Sequence, residues 1–349
     1  MSNVIQIGGC KIGKGHPPFI IAEVSANHNG KLENALELVK IAKKSGAHAV
    51  KFQTYRADTI TIKSDLPDFL IKEGPWAGKN LYELYDEAHM PWEWHEPLFK
   101  AAKDLGLIAF SSPFDDTAID FLEEINVPAY KVASFELLDL PLICKMARCQ
   151  KPIIMSTGMA NLSDISSAVE AARAEGNNQI ILLHCVSAYP ARAEEANLKT
   201  LAHLSKAFNV PVGLSDHTLG VAVSVAAVAL GAQVIEKHFT IRRSDGGADS
   251  AFSLEPDELS ELVEATKQAW QAVGKVNYER TKGEEKNSIF RRSLYVVDNI
   301  KKGEVFTAKN IKSIRPGYGL APVFIDEVLG RRAKGDLVTG MPLRWENVD

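Results

Sequence analysis

The sequence predicts an α/β protein, a (β/α)8 barrel followed by a small β-rich domain. Three observations lead there. Short apolar runs keep returning, each ends in polar or charged residues, and segments with helical periodicity lie between them. Strand alternating with helix gives a parallel sheet, and eight such units in about 250 residues match the size of a closed barrel.

The first run is FIIAEV (19–24), which carries Glu23 near its end. LENALELVKIAKKSG follows, with apolar residues at helical spacing and a stop at Gly46. AVKFQT (49–54) brings Lys51 and Gln53, LIAFSS (107–112) ends in Ser111 and Ser112, and AYKVAS (129–134) holds Lys131 and Ser134. PIIMST (152–157) carries Ser156 and Thr157, and QIILLHC (179–185) carries His184. VPVGLSDH (210–217) ends in Asp216 and His217, and AQVIEKHF (232–239) holds Glu236 and His238. A doubly wound open sheet is the competing architecture. It would carry a glycine-rich nucleotide fingerprint after its first strand, whereas EVSANHNG has no GxGxxG.

Barrel active sites gather at the C-terminal ends of the strands. All eight runs end in chemistry, a pattern that helix-surface residues would not give.

RTKGEEKNS (280–288) is charged and poor in apolar residues. Residues 1–280 are therefore read as the barrel domain, 281–288 as a linker and 289–349 as a second domain. The second has strand-like pieces, SLYVV and VFTA, and a turn at Pro316-Gly317. Its few apolar residues predict a marginal core unless it docks on something.

The 349 residues are 46% hydrophobic and 24% charged, ordinary for a globular chain too long for one small domain. A net charge of -4, with no run of Lys and Arg, argues against nucleic acid as a partner. The longest apolar run, around residues 221–230, is far short of the ~20 residues that span a bilayer, so no membrane is expected. Cys10, Cys144, Cys149 and Cys185 show no CxxC spacing, and MSNVIQIGG does not resemble a leader. Reduced thiols in the cytoplasm are the expectation.

His217 and His238 end adjacent strands in barrel order, so their rings can converge on one cation, with Asp216 and Glu236 alongside. Two imidazole ligands leave coordination positions for water and substrate, as a Lewis-acid site needs. Lys51 and Lys131, with the hydroxyls of Ser134 and Ser156, suit a phosphate or a carboxylate; a lysine in a buried site should not stay unpaired. A lysine there also allows a Schiff-base aldolase acting through Lys131. That chemistry needs neither the histidine pair nor the second lysine. Trp76, Tyr82, Tyr85, Trp92 and Trp94 could pack against the apolar faces of a ligand, or Trp92 and Trp94 could simply anchor the helix that follows.

EVSANHNG, VKFQTY, SSPFDD, YKVAS, MSTGM, GLSDHT and EKHFT occur in that order, and with them the whole chain resembles the sialic acid synthase family. The resemblance implies a TIM barrel that binds phosphoenolpyruvate, followed by an antifreeze-like (SAF) domain. The tail from RRSLYVV through KKGEVFTAKNIKSIRPGYG to GRRAKGD looks like that domain. Segment 81–99, LYELYDEAHMPWEWHEPLF, looks like the pseudaminic acid synthases within the family. Ser187 stands where the sialic acid synthases tend to have Asn. N-acetylneuraminate or legionaminate synthesis is the alternative, and an inactive carbohydrate-binding protein the alternative of another class. The tail carries no regular Thr-x-Thr ladder that would support a lattice-binding module.

The family chemistry implied is condensation of phosphoenolpyruvate with the open-chain aldehyde of an acetamido sugar. A divalent metal, Mn2+ or Mg2+, on His217 and His238 would polarise the aldehyde. Lys51, Lys131, Ser134 and Ser156 would hold phosphate and carboxylate, with Gln53 and Ser215 helping, and Glu23 would deprotonate the attacking water. Tyr189 and Asp249 match sugar-binding positions. Arg315 matches an arginine that enters a barrel from the small domain, and a domain-swapped homodimer is implied.

Overall fold

The computed structural model describes residues 4–74 and 76–349. The first three residues, part of the stretch read for a leader, lie outside the described residues. An antiparallel hairpin, β1 (Ile5–Ile7) and β2 (Cys10–Ile12), comes first. Eight parallel strands follow and close into a barrel. They are β3 (Phe19–Glu23), β4 (Ala49–Thr54), β5 (Ile108–Pro113), β6 (Tyr130–Val132), β7 (Ile153–Ser156), β8 (Ile180–Cys185), β9 (Val212–Asp216) and β10 (Val234–His238). Each predicted run contains or overlaps one of them, and pairing of β10 with β3 excludes the open sheet.

The period of two along each strand builds two different layers. Phe19, Ile21, Phe110, Ile154, Leu183 and Val234 fill the barrel interior. Ile20, Val50, Met155, Leu182 and Ile235, each next to an inward position of its strand, face outward and belong to the cluster that the surrounding helices share, Leu38 and Val39 of the helix Leu32–Lys44 among them. Both faces are therefore apolar, which is why the strands read as continuous runs. Gly213 takes an interior position of β9, where a Cβ would stand 2.3 Å from the Val234 carbonyl oxygen and 2.7 Å from Leu183 Cδ2.

The N-terminal hairpin was not foreseen. Its three-residue strands are too short for a periodic signal, but they bring Ile5, Ile7 and Ile12 into the interior cluster and so close the end of the barrel opposite the site. The Gly8-Gly9 turn has φ of 52° and 92°, the left-handed pair that a two-residue hairpin needs. At the other end, a long excursion follows β4, with helices at Ala57–Ile60 and Leu81–Ala88 and a 3-10 turn at Trp92–Trp94.

The first compact unit ends at Gly274, and the second is Lys275–Asp349. The stretch read as a linker carries helical turns at Lys282–Glu285 and Lys286–Phe290, the first capped by Thr281, whose N and Oγ1 both donate to Glu284 Oε2 at 2.8 Å. The strands of the second unit are β11 (Ser293–Val296) and β12 (Ile311–Ile314). VFTA forms only a single bridge, Val305 to Arg332. The tail also has a core of its own, with Leu294, Val296, Phe306, Ile311, Val328 and Leu343 buried together. Its apolar residues are spread over many short pieces, which is why the sequence reading undercounted them. Among the described residues no helix is long and apolar enough to cross a membrane.

Candidate active site

Above the apolar interior layer, the same inward positions turn polar. A cavity of about 490 Å³ opens there, at the C-terminal ends of the strands. Lys51, Gln53, Lys131, Ser134, Ser156, Ser215, His217 and His238 line it, as do Tyr189 and Asp249 from the loops. Glu23 lies just beneath, 1% exposed, and reaches this group through Lys51 and Gln53. Arg315 belongs to the second unit, directly after β12.

The floor of the cavity is a charge network. Lys51 Nζ stands 2.7 Å from Glu23 Oε2 and 3.6 Å from Glu236 Oε1, and Lys131 Nζ stands 3.7 Å from that same oxygen. Gln53 Nε2 donates to Glu23 Oε1 at 3.0 Å, Lys131 Nζ to Ser156 Oγ at 2.7 Å, and Ser215 Oγ to Glu236 Oε1 at 3.3 Å. Burial pushes the Glu23 carboxyl up to about 7 despite Lys51 beside it. Burial acts on Glu236 in the same sense, but Lys131 and Lys51 outweigh it and hold that carboxyl below its usual range. Burial would lower Lys51, but its two carboxylate neighbours raise it, whereas burial prevails at Lys131 and lowers it. The floor thus presents two ammonium groups held in place by carboxylates, ready to be shared with an anion.

His217 and His238 face each other with ring centroids 5.5 Å apart. His217 Nδ1 lies 2.9 Å from the Val186 carbonyl oxygen, so Nδ1 carries the proton and Nε2 keeps its lone pair. His238 Nδ1 is buried without a hydrogen-bond partner, and Asp249 Oδ2 is 3.8 Å away. Burial lowers both imidazoles, so both are neutral at neutral pH, the form that ligates metal. The donor set therefore fits a cation bound by two nitrogens, with water and substrate supplying the rest. Among the described residues no group of three or more His, Cys, Asp and Glu is placed to hold a metal.

Several strand-end residues turn away from the cavity. Asp216 pairs with Lys237 at 2.9 Å on the outer face, so it does not stand beside the histidines as expected. His184 Nε2 lies 2.7 Å from Ala196 O, and Ser111 bonds Thr54, which bonds His95, between barrel and helices. Strand alternation explains each case, since neighbours in a strand point to opposite faces.

The outer wall is mostly apolar, with Glu73 the charged exception in the excursion after β4. Ile60, Ile71, Trp76, Leu84, Tyr85 and Phe114 line it, nearly all from the excursion after β4. Trp76 Nε1 donates to Ala248 O at 3.0 Å, and its ring lies 5.8 Å from that of Tyr189, which is 4.4 Å from His217. Trp92 instead stacks on Phe121, and Trp94 packs on the barrel core beside His28. The aromatic segment thus divides: Trp76 and Tyr85 face the cavity, and Trp92 and Trp94 are anchors.

A family model, the NeuB family, matches residues 38–278. The chain belongs to the NeuB family. A second model, the SAF domain, matches residues 291–349. The chain is 46% identical to the pseudaminic acid synthase of Campylobacter jejuni (strain 81-176), over 97% of this chain and 98% of that one. It is 45% identical to the pseudaminic acid synthase of Helicobacter pylori, over 95% and 98% of the two chains. A crystal structure of N-acetylneuraminic acid (sialic acid) synthetase from Leptospira borgpetersenii, in complex with citrate, superimposes with a TM-score of 0.74 at 32% identity. It covers 82% of this chain and 95% of that chain. The resemblance read from the motifs is thereby borne out, as is the barrel followed by a SAF domain.

The site also contains residues the sequence reading passed over. Glu136, on the 3-10 turn Ser134–Leu138 after β6, lines the cavity, and burial pushes its carboxyl up to about 7. Ser25 Oγ donates to Asp249 Oδ2 at 2.5 Å. Ser187 Oγ lies 2.9 Å from Ser134 Oγ, so the departure from Asn is met by a hydroxyl pair. Glu136 lies two residues past Ser134, and only the rule that barrel loops carry function could have flagged it.

Proposed function

We propose that this chain is a pseudaminic acid synthase, condensing phosphoenolpyruvate with 2,4-diacetamido-2,4,6-trideoxy-L-altrose to give pseudaminic acid and phosphate. The observation that carries the choice of sugar is the division of the cavity into a floor of lysine ammoniums paired with carboxylates and a mostly apolar outer wall. A trianionic enol phosphate suits the floor, and a deoxy sugar with a methyl group and two acetamido groups suits the wall. The pseudaminic acid synthases of C. jejuni and H. pylori, matched over nearly the whole chain, support the same choice.

Lys51 and Lys131, with Ser134 and Ser156, hold the phosphate and the carboxylate, and Gln53 and Ser215 add hydrogen bonds at the same floor. Tyr189 and Asp249 position the sugar so that its aldehyde carbon meets carbon 3 of the enol. His217 and His238 would hold a divalent metal, Mn2+ or Mg2+, which polarises the aldehyde oxygen when bound. Carbon 3 attacks the aldehyde, water adds at carbon 2, and phosphate leaves with cleavage of the C–O bond. Glu23 takes the proton from that water, and a carboxyl pushed up to about 7 is suited to accept it near neutral pH. The active form in this reading is a homodimer in which the second unit supplies Arg315 to the partner's barrel, and the compartment is the cytoplasm.

The purified chain should release phosphate from phosphoenolpyruvate only when both the acetamido sugar and a divalent cation are present, and chelation should abolish it. Sugar-dependent release that persists after complete removal of metal rejects the metal's role. No release with any acetamido sugar rejects the activity.

A further inference from the structure

We infer that Lys237 is the residue that sets the spacing of His217 and His238, by gripping the residues on both sides of His217 from the position next to His238. This rests on the reading that the two histidines hold a metal. In the register of β9 and β10, Asp216 lies directly opposite Lys237, so each histidine follows one member of a facing pair. Alternation sends both histidines to the cavity and both charged residues to the opposite face, where each side chain is 1% exposed. There Lys237 Nζ donates to Asp216 Oδ2 at 2.9 Å and to the Thr218 carbonyl oxygen at 2.5 Å. These are the two neighbours of His217.

The bracket is closed on the other strand as well. Asp216 Oδ2 also accepts from Ser224 Oγ at 2.6 Å, and Asp216 Oδ1 accepts from Thr218 N at 2.9 Å and Thr218 Oγ1 at 2.7 Å. The backbone around His217 therefore cannot shift without breaking bonds to the residue before His238. Stability alone does not account for such a pair, because apolar residues of the same volume commonly serve a buried interface at least as well. A fixed distance between two ligands does account for it, since groups behind a metal site orient the ligands in front.

The test is titration of the intact chain with Mn2+, following free cation by electron paramagnetic resonance, for wild type, Lys237→Met and the double variant Asp216→Asn/Lys237→Met. The double variant leaves no unpaired buried charge, so it stays informative if the single variant does not fold. Mn2+ affinity should fall about 10- to 100-fold in both, while binding of phosphoenolpyruvate without cation stays at the wild-type level. Leu262→Ala, a core truncation in the helix Pro256–Val273, should lower the melting temperature yet keep Mn2+ affinity. A folded variant lacking the Lys237 ammonium that binds Mn2+ within about twofold of wild type overturns the inference, as does equal loss in Leu262→Ala. A wild-type chain that binds no Mn2+ removes the underlying metal reading instead.

Discussion

Replacing Glu23 by Gln removes the proposed base while keeping its shape. In the native site one carboxylate oxygen takes the Gln53 amide at 3.0 Å and the other takes the Lys51 ammonium at 2.7 Å. An amide has one accepting oxygen, so one of the two bonds is lost, at a cost of about 1–3 kcal/mol. Lys51 still has Glu236 at 3.6 Å, which should keep the floor assembled and phosphoenolpyruvate binding near normal. Turnover should fall by about 10²–10⁴, equivalent to ~3–5 kcal/mol in the barrier. The assay is phosphate release at saturating substrates across neutral pH. In the wild type the rate should rise as pH approaches about 7 and then level off, because the deprotonated carboxylate is the active form. Glu136 is also pushed up to about 7, so Glu136→Gln is the control that assigns the limb. Stability gives a second readout. Since the folded value lies above the ordinary 4.5, Glu23 favours the folded chain most in acid, and that share is lost as pH rises to about 7. Glu23→Gln should remove this dependence. A variant with turnover within tenfold of wild type and the same acid limb would refute the assignment.

Other perturbations separate the remaining parts of the site. Trp76→Ala, which removes the indole bonded to Ala248 and packed on Tyr189, should raise the KM for the sugar by about tenfold and leave that for phosphoenolpyruvate little changed; equal effects on both would place Trp76 outside sugar recognition. Mixing Glu23→Gln with Arg315→Ala should restore part of the activity in verified mixed dimers if each site uses the partner's arginine, and no recovery would rule out that exchange. Borohydride should trap no adduct on Lys131, whose ammonium is engaged by Ser156 and the Val132 carbonyl. A reduced covalent adduct there would restore the Schiff-base aldolase.

The barrel was legible because its strands are buried on both faces, so each reads as an unbroken apolar run with polar residues at its end. Lys51, Lys131, Ser156, His217 and His238 were legible for the same reason, as polar interruptions of such runs. Asp216 and His184 were misplaced because a run that is apolar throughout hides its period of two, and inward and outward ends look alike. Once Val234 is known to face inward, Glu236 and His238 must follow it and Lys237 must not. The N-terminal hairpin and Glu136 left weaker traces. The hairpin strands are three residues each, and Glu136 sits on a short 3-10 turn, Ser134–Leu138, that leaves no periodic pattern.

The central claim is that a mostly apolar wall above a lysine-bearing floor selects a diacetamido deoxy sugar. Phosphate release should therefore be measured in parallel with 2,4-diacetamido-2,4,6-trideoxy-L-altrose, its gluco-configured counterpart and N-acetylmannosamine, at matched phosphoenolpyruvate and Mn2+. The altrose should give the highest kcat/KM, because its methyl group and second acetamido group suit a wall built mostly of Ile60, Ile71, Trp76 and Leu84. Faster turnover of N-acetylmannosamine would contradict the account of the wall.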